Sequence, residues 1–106
     1  MAWFYLLIAG LLEVAWSFAM KQSAGLTRLA PTLVMIVTML GSFGLLALAM
    51  RTLPLSTAYP IWTGIGALGA FVVGMTVLGE SASPARLAAA GLILAGLAIL
   101  KATSPH

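Results

Sequence analysis

Cysteine is absent from this 106-residue chain, and charged residues are scarce. The first absence excludes disulfides, thiol chemistry and cysteine-based metal sites. Charged residues make up 7% of the chain and hydrophobic residues 62%, whereas a typical soluble domain carries about 25% charged residues. The polar surface is too small to cover a water-soluble globule, so the composition predicts an all-α integral membrane protein.

The five basic residues against two acidic ones give a net charge of +3. They are dispersed between apolar runs and do not form the cluster typical of nucleic-acid binding. They suit the ends of membrane helices, where cations contact headgroups. The N-terminus lacks the basic region and small-residue cleavage site of a signal peptide, so we expect the first apolar segment to be a retained span and expect no nucleic-acid partner.

Four apolar segments divide the chain, at about residues 3–20, 29–50, 55–78 and 84–101. Together they predict a single four-helix transmembrane domain over residues 1–106. Ser83 followed by Pro84 is typical of a helix N-cap and first helical position. The tail at residues 102–106 is predicted to be disordered, with His106 as a solvated residue rather than a ligand.

Glu13 lies in the middle of the first span. Ten residues separate it from Trp3, which is about 15 Å of helix in a bilayer core about 30 Å thick. A carboxylate at that depth is costly and usually marks an ion or substrate path. Lys21 and Arg28 are loop residues too distant along the chain to neutralise it. Because desolvation disfavours the charged form of a carboxyl group, Glu13 can hold a proton or exchange it for a cation.

Four further polar or aromatic residues are candidates for the same site: Trp16, Ser42, Tyr59 and Trp62. Aromatic faces attract cations, and a serine hydroxyl can orient a carboxylate. Each also has an ordinary interpretation, because tryptophan and tyrosine anchor spans at the membrane interface and serine packs between helices. Trp16 and Trp62 fit the anchor role poorly, since each lies several residues inside its span.

Several glycines lie within the spans. Gly10, one turn before Glu13, leaves room for a ligand or a neighbouring helix. Gly64 and Gly66 belong to a G-x-G-x-x-G match, which we reject as a dinucleotide site because no strand precedes it; we interpret them as a bend or flexible point. Gly91 and Gly96 indicate a fourth helix packed on other helices.

The loop charges are nearly balanced between the two membrane faces. Lys21, Arg28 and Arg86 lie on one face, against Arg51 and Lys101 on the other. Since the positive-inside rule counts lysine and arginine, the chain has almost no orientation bias. Insertion in both orientations permits an antiparallel homodimer, and four short helices cannot easily enclose a path alone.

Three stretches carry a family resemblance. They are Gly-Leu-Leu-Glu-Val-Ala-Trp (10–16), Lys-Gln-Ser-Ala-Gly-Leu-Thr-Arg (21–28) and Thr-Ala-Tyr-Pro-Ile-Trp-Thr-Gly-Ile-Gly (57–66). With them the whole chain resembles the small multidrug resistance family of proton-coupled exporters, and within it the guanidinium-exporter subtype. The resemblance implies a bacterial inner-membrane protein, an antiparallel dual-topology dimer with two Glu13 residues in one site, and alternating access.

The resemblance also implies roles for the candidate residues. Glu13 would bind substrate and protons in competition, Trp16 and Trp62 would form aromatic walls, Ser42 would donate a hydrogen bond to Glu13, and Tyr59 would form a gate. Gly64 and Gly66 would supply a bend, and the fourth segment, with Gly91 and Gly96, the dimer contact. Pro60 departs from the family, which usually has alanine there; it is harmless in a first turn starting near Ser56, whereas an earlier start challenges the role of Tyr59.

We therefore expect an antiporter that exports guanidinium in exchange for protons, with no enzymatic activity, cofactor or metal. One alternative is a multidrug exporter of quaternary ammonium or aromatic cations. Another is a non-transporting subunit of a larger membrane assembly, in which Glu13 would pair with a partner's basic residue.

Overall fold

The computed structural model describes residues 1–103, and that part of the chain folds into four helices. They are α1 (Ala2–Gln22), α2 (Leu29–Ala49), α3 (Leu55–Thr76) and α4 (Pro84–Thr103). All four are long and apolar enough to cross a membrane, so the chain is a multi-pass, all-α membrane protein. Ala102 and Thr103 are helical, and for them the prediction of disorder was wrong; His106 lies outside the described residues.

The starts of α2, α3 and α4 are those predicted, and the other helix ends differ from the predicted ends by one or two residues. Side-chain caps mark the end of α1 and the start of α4. α1 continues to Gln22 and ends at Ser23, whose hydroxyl donates to the Met20 carbonyl at 2.6 Å and accepts from the Leu26 N–H at 3.0 Å. At the start of α4, the Arg86 N–H donates to Ser83 Oγ at 3.2 Å. The predicted Ser83 cap is therefore confirmed.

The core is built by α1, α2 and α3 together with the loop between α2 and α3. Its buried side chains are Leu6, Ala9, Ala49, Leu53, Ala58, Ile61 and Trp62. α1 packs closely on both α2 and α3. Gly10 permits one of these approaches, because a Cβ added there would lie 2.5 Å from Ile65 Cγ2.

The fourth helix is attached differently. Among the described helices its backbone packs closely on α3 alone, and none of its residues is buried. A Cβ added to Gly91 or Gly96 would have no atom of residues 1–103 within 4 Å. Gly91 is exposed and Gly96 borders an open groove beside α3, and their role in a dimer contact stays a prediction.

The paired glycines of α3 serve packing. α3 is one continuous helix through Gly64 and Gly66, and a Cβ added to Gly64 would lie 2.5 Å from Leu97 Cδ2 of α4. Gly64 thus lets α4 approach α3 closely. The predicted bend is not needed to explain its presence.

Pro60 lies inside α3, in its second turn, because the helix begins at Leu55. This is earlier than the start near Ser56 at which Pro60 would be harmless. A proline at this position cannot donate to the carbonyl four residues before it, which is that of Ser56. Tyr59 nevertheless keeps a helical conformation.

Candidate functional site

The Glu13 side chain packs against Gly66, where α1 crosses α3. A Cβ added to Gly66 would overlap the Glu13 carboxyl group and lie 2.7 Å from its Cγ. Gly66 is buried, so only a residue without a side chain fits opposite this carboxyl group. The contact places the single acidic residue of the four helices at a helix–helix seam.

The carboxyl group lacks the partners that a buried polar group normally has. Glu13 Oε1 is buried and has no hydrogen-bond partner among residues 1–103. Buried polar side-chain atoms in proteins are usually hydrogen-bonded, and each exception calls for an explanation such as a functional role. An acceptor atom in this state can take a hydrogen bond from a cationic donor.

Ser42 does not contact Glu13 as the resemblance implied. Its hydroxyl donates to the Ala9 carbonyl at 2.6 Å and accepts from Trp62 Nε1 at 2.9 Å. A serine has one O–H to donate, and here the Ala9 carbonyl takes it. The expected Ser42–Glu13 hydrogen bond was therefore wrong for this structure. Since Ala9 is one helical turn before Glu13, the Ser42–Trp62 pair still lies about 6 Å along α1 from the carboxylate position.

The Ser42 hydrogen bonds fix Trp62. Trp62 is 6% exposed and Ser42 is fully buried, so the indole N–H is satisfied by protein and has no access to water. This pair joins α3 to α2, while the Ala9 carbonyl joins α2 to α1. Three helices are therefore tied together at one polar point inside the apolar core.

Four aromatic rings form a continuous chain beside this point. Phe43 makes edge-to-face contacts with Trp16, at a centroid distance of 6.4 Å, and with Trp62, at 5.8 Å. Trp62 in turn contacts Tyr59, at 5.7 Å with a 45° tilt. The predicted aromatic residues Trp16, Tyr59 and Trp62 are thus brought together from two helices.

Phe43 joins these rings and was missed by the sequence analysis. It is 44% exposed and comes from α2, next to Ser42. A single phenylalanine in an apolar span looks like any lipid-facing residue, so no sequence pattern identifies it. Only the rotation of α2 against α1 and α3 places its ring between the two tryptophans.

Trp16 carries the second unsatisfied polar atom. Its Nε1 is buried and has no hydrogen-bond partner among residues 1–103. Trp16 follows Glu13 by three residues, so both side chains lie on one face of α1. The Glu13 oxygen can accept a hydrogen bond from a small cation, and the ring face of Trp16 can attract that cation, whereas the indole N–H can only donate and takes no part in binding it.

Tyr59 lies near the N-terminal end of α3 and is 51% exposed. It also lines an open groove of about 620 Å³ between α3 and α4, together with Thr63 and Gly96. This position at the outer end of the ring chain is compatible with a gate. Gly91 and Gly96 themselves belong to α4, which contributes nothing to the aromatic chain.

Comparisons with known proteins agree on one family. The family model described as Small Multidrug Resistance protein matches residues 1–93. A protein of Citrobacter freundii named guanidinium exporter is 56% identical over 101 residues, covering 95% of this chain and 96% of its own. Guanidinium exporters of Salmonella typhimurium, with the same identity and coverage, and of Yersinia pseudotuberculosis, 54% identical over 104 residues, are similar in the same way.

Proposed function

The chain belongs to the small multidrug resistance family, and from this premise we propose that it exports guanidinium in exchange for protons. Protons and guanidinium compete for the Glu13 carboxylate, so the two are never bound to it together. The observation that carries the proposal is the buried Glu13 Oε1 atom without a hydrogen-bond partner. The predicted antiport chemistry needs a carboxylate whose partner is supplied by the transported species.

Guanidinium suits this carboxylate better than a quaternary ammonium ion does. It is planar, and its paired N–H groups can donate two parallel hydrogen bonds to one carboxylate. It can also stack on aromatic rings, which Trp16 and Trp62 present beside Glu13. A quaternary ammonium ion has no N–H donor and would leave the buried oxygen unsatisfied. The names of the similar proteins from Citrobacter, Salmonella and Yersinia support the same choice.

The working unit in this proposal is an antiparallel homodimer of the bacterial inner membrane. Its two protomers insert in opposite orientations, and two Glu13 residues share one central site that opens alternately to either face. Two observations support a dimer: α4 has no buried residue within its protomer, and Gly91 and Gly96 have open space around them. The nearly balanced loop charges support the opposite orientations.

Each remaining site residue has a defined part in this mechanism. Trp16 and Trp62 form the aromatic walls, and Tyr59 gates the outer end of the ring chain. Ser42 holds the Trp62 indole through its 2.9 Å hydrogen bond, so in this state it positions a wall rather than the carboxylate. Phe43 fills the space between the two tryptophans.

The purified protein in liposomes tests the proposal. Guanidinium should accumulate in liposomes whose interior is more acidic than the outside, because protons that leave through the antiporter drive guanidinium inward. A tetraalkylammonium ion, which has no N–H donors, should move far more slowly. The control is Glu13→Gln, which keeps the shape of the side chain but removes its charge and should transport neither ion.

Two results decide between the alternatives. Faster movement of the tetraalkylammonium ion than of guanidinium would favour the multidrug exporter. No proton-coupled movement of either ion by a correctly folded dimer would favour a non-transporting subunit.

A further inference from the structure

An apolar trough runs between α1 and α4 on the outside of the bundle. It encloses about 760 Å³ and is lined mainly by aliphatic and aromatic side chains, among them Phe4, Leu7, Leu94 and Ala98. α3 forms its floor through Ile61 and Ile65, because the backbone of α4 packs closely on α3 but not on α1. A cavity of this kind, open along two spanning helices, faces the hydrocarbon of the membrane.

The trough ends at a cation. The Lys101 ammonium lies 4.8 Å from the centroid of the Trp3 ring, and both residues line the trough. Trp3 also lines a second cavity of about 640 Å³, which is bordered by Met1, Arg51 and Thr52. An apolar space and a more polar space thus meet at one interfacial tryptophan.

Among residues 1–103, the charged groups at this end of the bundle are all positive. Arg51 and Lys101 lie here with the amine of Met1, and neither acidic side chain of the chain is near: Glu13 lies within α1 and Glu80 follows α3 at the opposite end. Basic pockets between membrane helices bind anionic lipid headgroups.

We infer that Trp3, Arg51 and Lys101 form a binding site for one anionic phospholipid, with its phosphate between the two cations and an acyl chain in the trough. The Trp3 ring holds the Lys101 ammonium in place by a cation–π contact. The phosphate receives the two cationic side chains as charge-assisted hydrogen-bond donors. The chain of the lipid covers the apolar side chains that α4 leaves exposed.

A second copy of the protein fits this trough less well than a lipid does. Gly96, proposed above as a dimer contact, is two residues from Leu94, which corresponds to about 200° around α4. Gly91, the other proposed contact, is three residues before Leu94, about 60° around α4. The midpoint between the two glycines is therefore about 130° from Leu94, so the dimer face is turned away from the trough. A helix placed in the trough would also have to leave room for the three positive groups, whereas an anionic headgroup neutralises them.

The headgroup part is tested by native mass spectrometry of the purified dimer with phosphatidylglycerol and with phosphatidylcholine. The wild type should retain phosphatidylglycerol preferentially. Lys101→Gln should weaken its retention about fivefold, and the double change with Arg51→Gln about 25-fold, as expected for each basic residue near a lipid surface. The matched control is Arg86→Gln, because Arg86 also lies over a ring, 5.7 Å from that of Phe71, but beside a cavity of only about 170 Å³; it should leave retention unchanged.

The acyl-chain part is tested by filling the trough. Ala98→Phe should lower phosphatidylglycerol retention at least tenfold without changing charge, whereas Ala47→Phe, at an exposed alanine of α2 that does not line the trough, should not. Unchanged retention in Lys101→Gln or in Ala98→Phe, or an equal loss in either control, would overturn the proposal. So would dissociation of the dimer by Ala98→Phe but not by Ala47→Phe, since the trough would then hold a second copy. None of these readouts involves transport, so the outcome is independent of the proposed antiport.

Discussion

Replacing Gly66 by alanine should displace the Glu13 carboxyl group and weaken guanidinium binding. A Cβ at residue 66 would overlap that carboxyl group, and Gly66 is buried between helices. The collision involves the far end of a side chain, so Glu13 can move away. The position that it then loses is the one against Gly66, on the face of α1 that also carries Trp16.

The magnitude follows from two opposing effects on stability. Alanine favours a helix over glycine by about 0.8–1.0 kcal/mol, while an extra methyl group in a packed interior costs about 1–3 kcal/mol. Gly44→Ala is the matched control, because a Cβ there would contact no other part of residues 1–103 within 4 Å, its own stretch of helix backbone aside. The helix-propensity effect is common to both variants, so Gly66→Ala should be less stable than Gly44→Ala by the overpacking cost alone.

The effect on guanidinium should be larger than the effect on folding. Hydrogen bonds to a charged partner contribute about 1.5–3 kcal/mol, so losing them should raise the Kd about 10- to 150-fold. Titration calorimetry of the detergent-solubilised dimer measures the Kd, and thermal unfolding of the same samples measures stability. Gly44→Ala should bind guanidinium like the wild type.

A compensating change tests the cause. Glu13→Asp withdraws the carboxylate by one methylene group, so it should weaken binding in the wild type but harm Gly66→Ala much less. A double-mutant cycle measures this coupling. Wild-type affinity in Gly66→Ala, or simple additivity of the two changes, would refute the idea that Gly66 positions the carboxylate.

Four other outcomes are expected. Glu13→Gln should fold and dimerise but fail in transport. Guanidinium binding by the wild type should tighten as pH rises, because the carboxylates lose the competing protons, and a wild-type affinity independent of pH would contradict the competition. Ser42→Ala leaves the buried Trp62 indole N–H unpaired, which should cost about 1–3 kcal/mol of stability. In thermal unfolding its effect should be strongly coupled to that of Trp62→Phe and little coupled to that of Glu13→Gln. The reverse pattern would be evidence for a Ser42–Glu13 hydrogen bond. Trp16→Gly should weaken guanidinium binding while the dimer still assembles on size exclusion, whereas loss of the dimer would make Trp16 a packing residue. Two lysines added to one set of loops should bias insertion and impair transport when that variant is alone, and a functional dimer crosslinked through like termini would argue against opposite orientations.

The fold was largely predictable because membrane spans follow from composition. Four apolar runs with few interior charges predict four helices, and Ser83 before Pro84 predicts where α4 starts. These signals are local, since each depends on residues close together in the chain. The position of Glu13 within its span was equally local, being a count of residues along one helix.

The contacts between helices were less predictable. Ser42 bonds Ala9 and Trp62 rather than Glu13, because the rotation of α2 about its axis decides which acceptor its hydroxyl reaches. The role of Phe43 depends on the same rotation. Gly66 was predicted to mark a bend in the helix, and its contact with Glu13 was missed. A sequence does not show which side chain of another helix will lie against a given glycine.

The attachment of α4 has a consequence for the order of events during synthesis. Every buried side chain of the core belongs to α1, α2, α3 or the loop between α2 and α3, and these residues leave the ribosome first. A three-helix intermediate can therefore complete its interior packing before α4 enters the bilayer, as in the two-stage view of membrane folding. The last helix packs mainly on α3, where Gly64 allows its close approach. None of its residues is buried, so most of its surface is still free when two newly made chains meet.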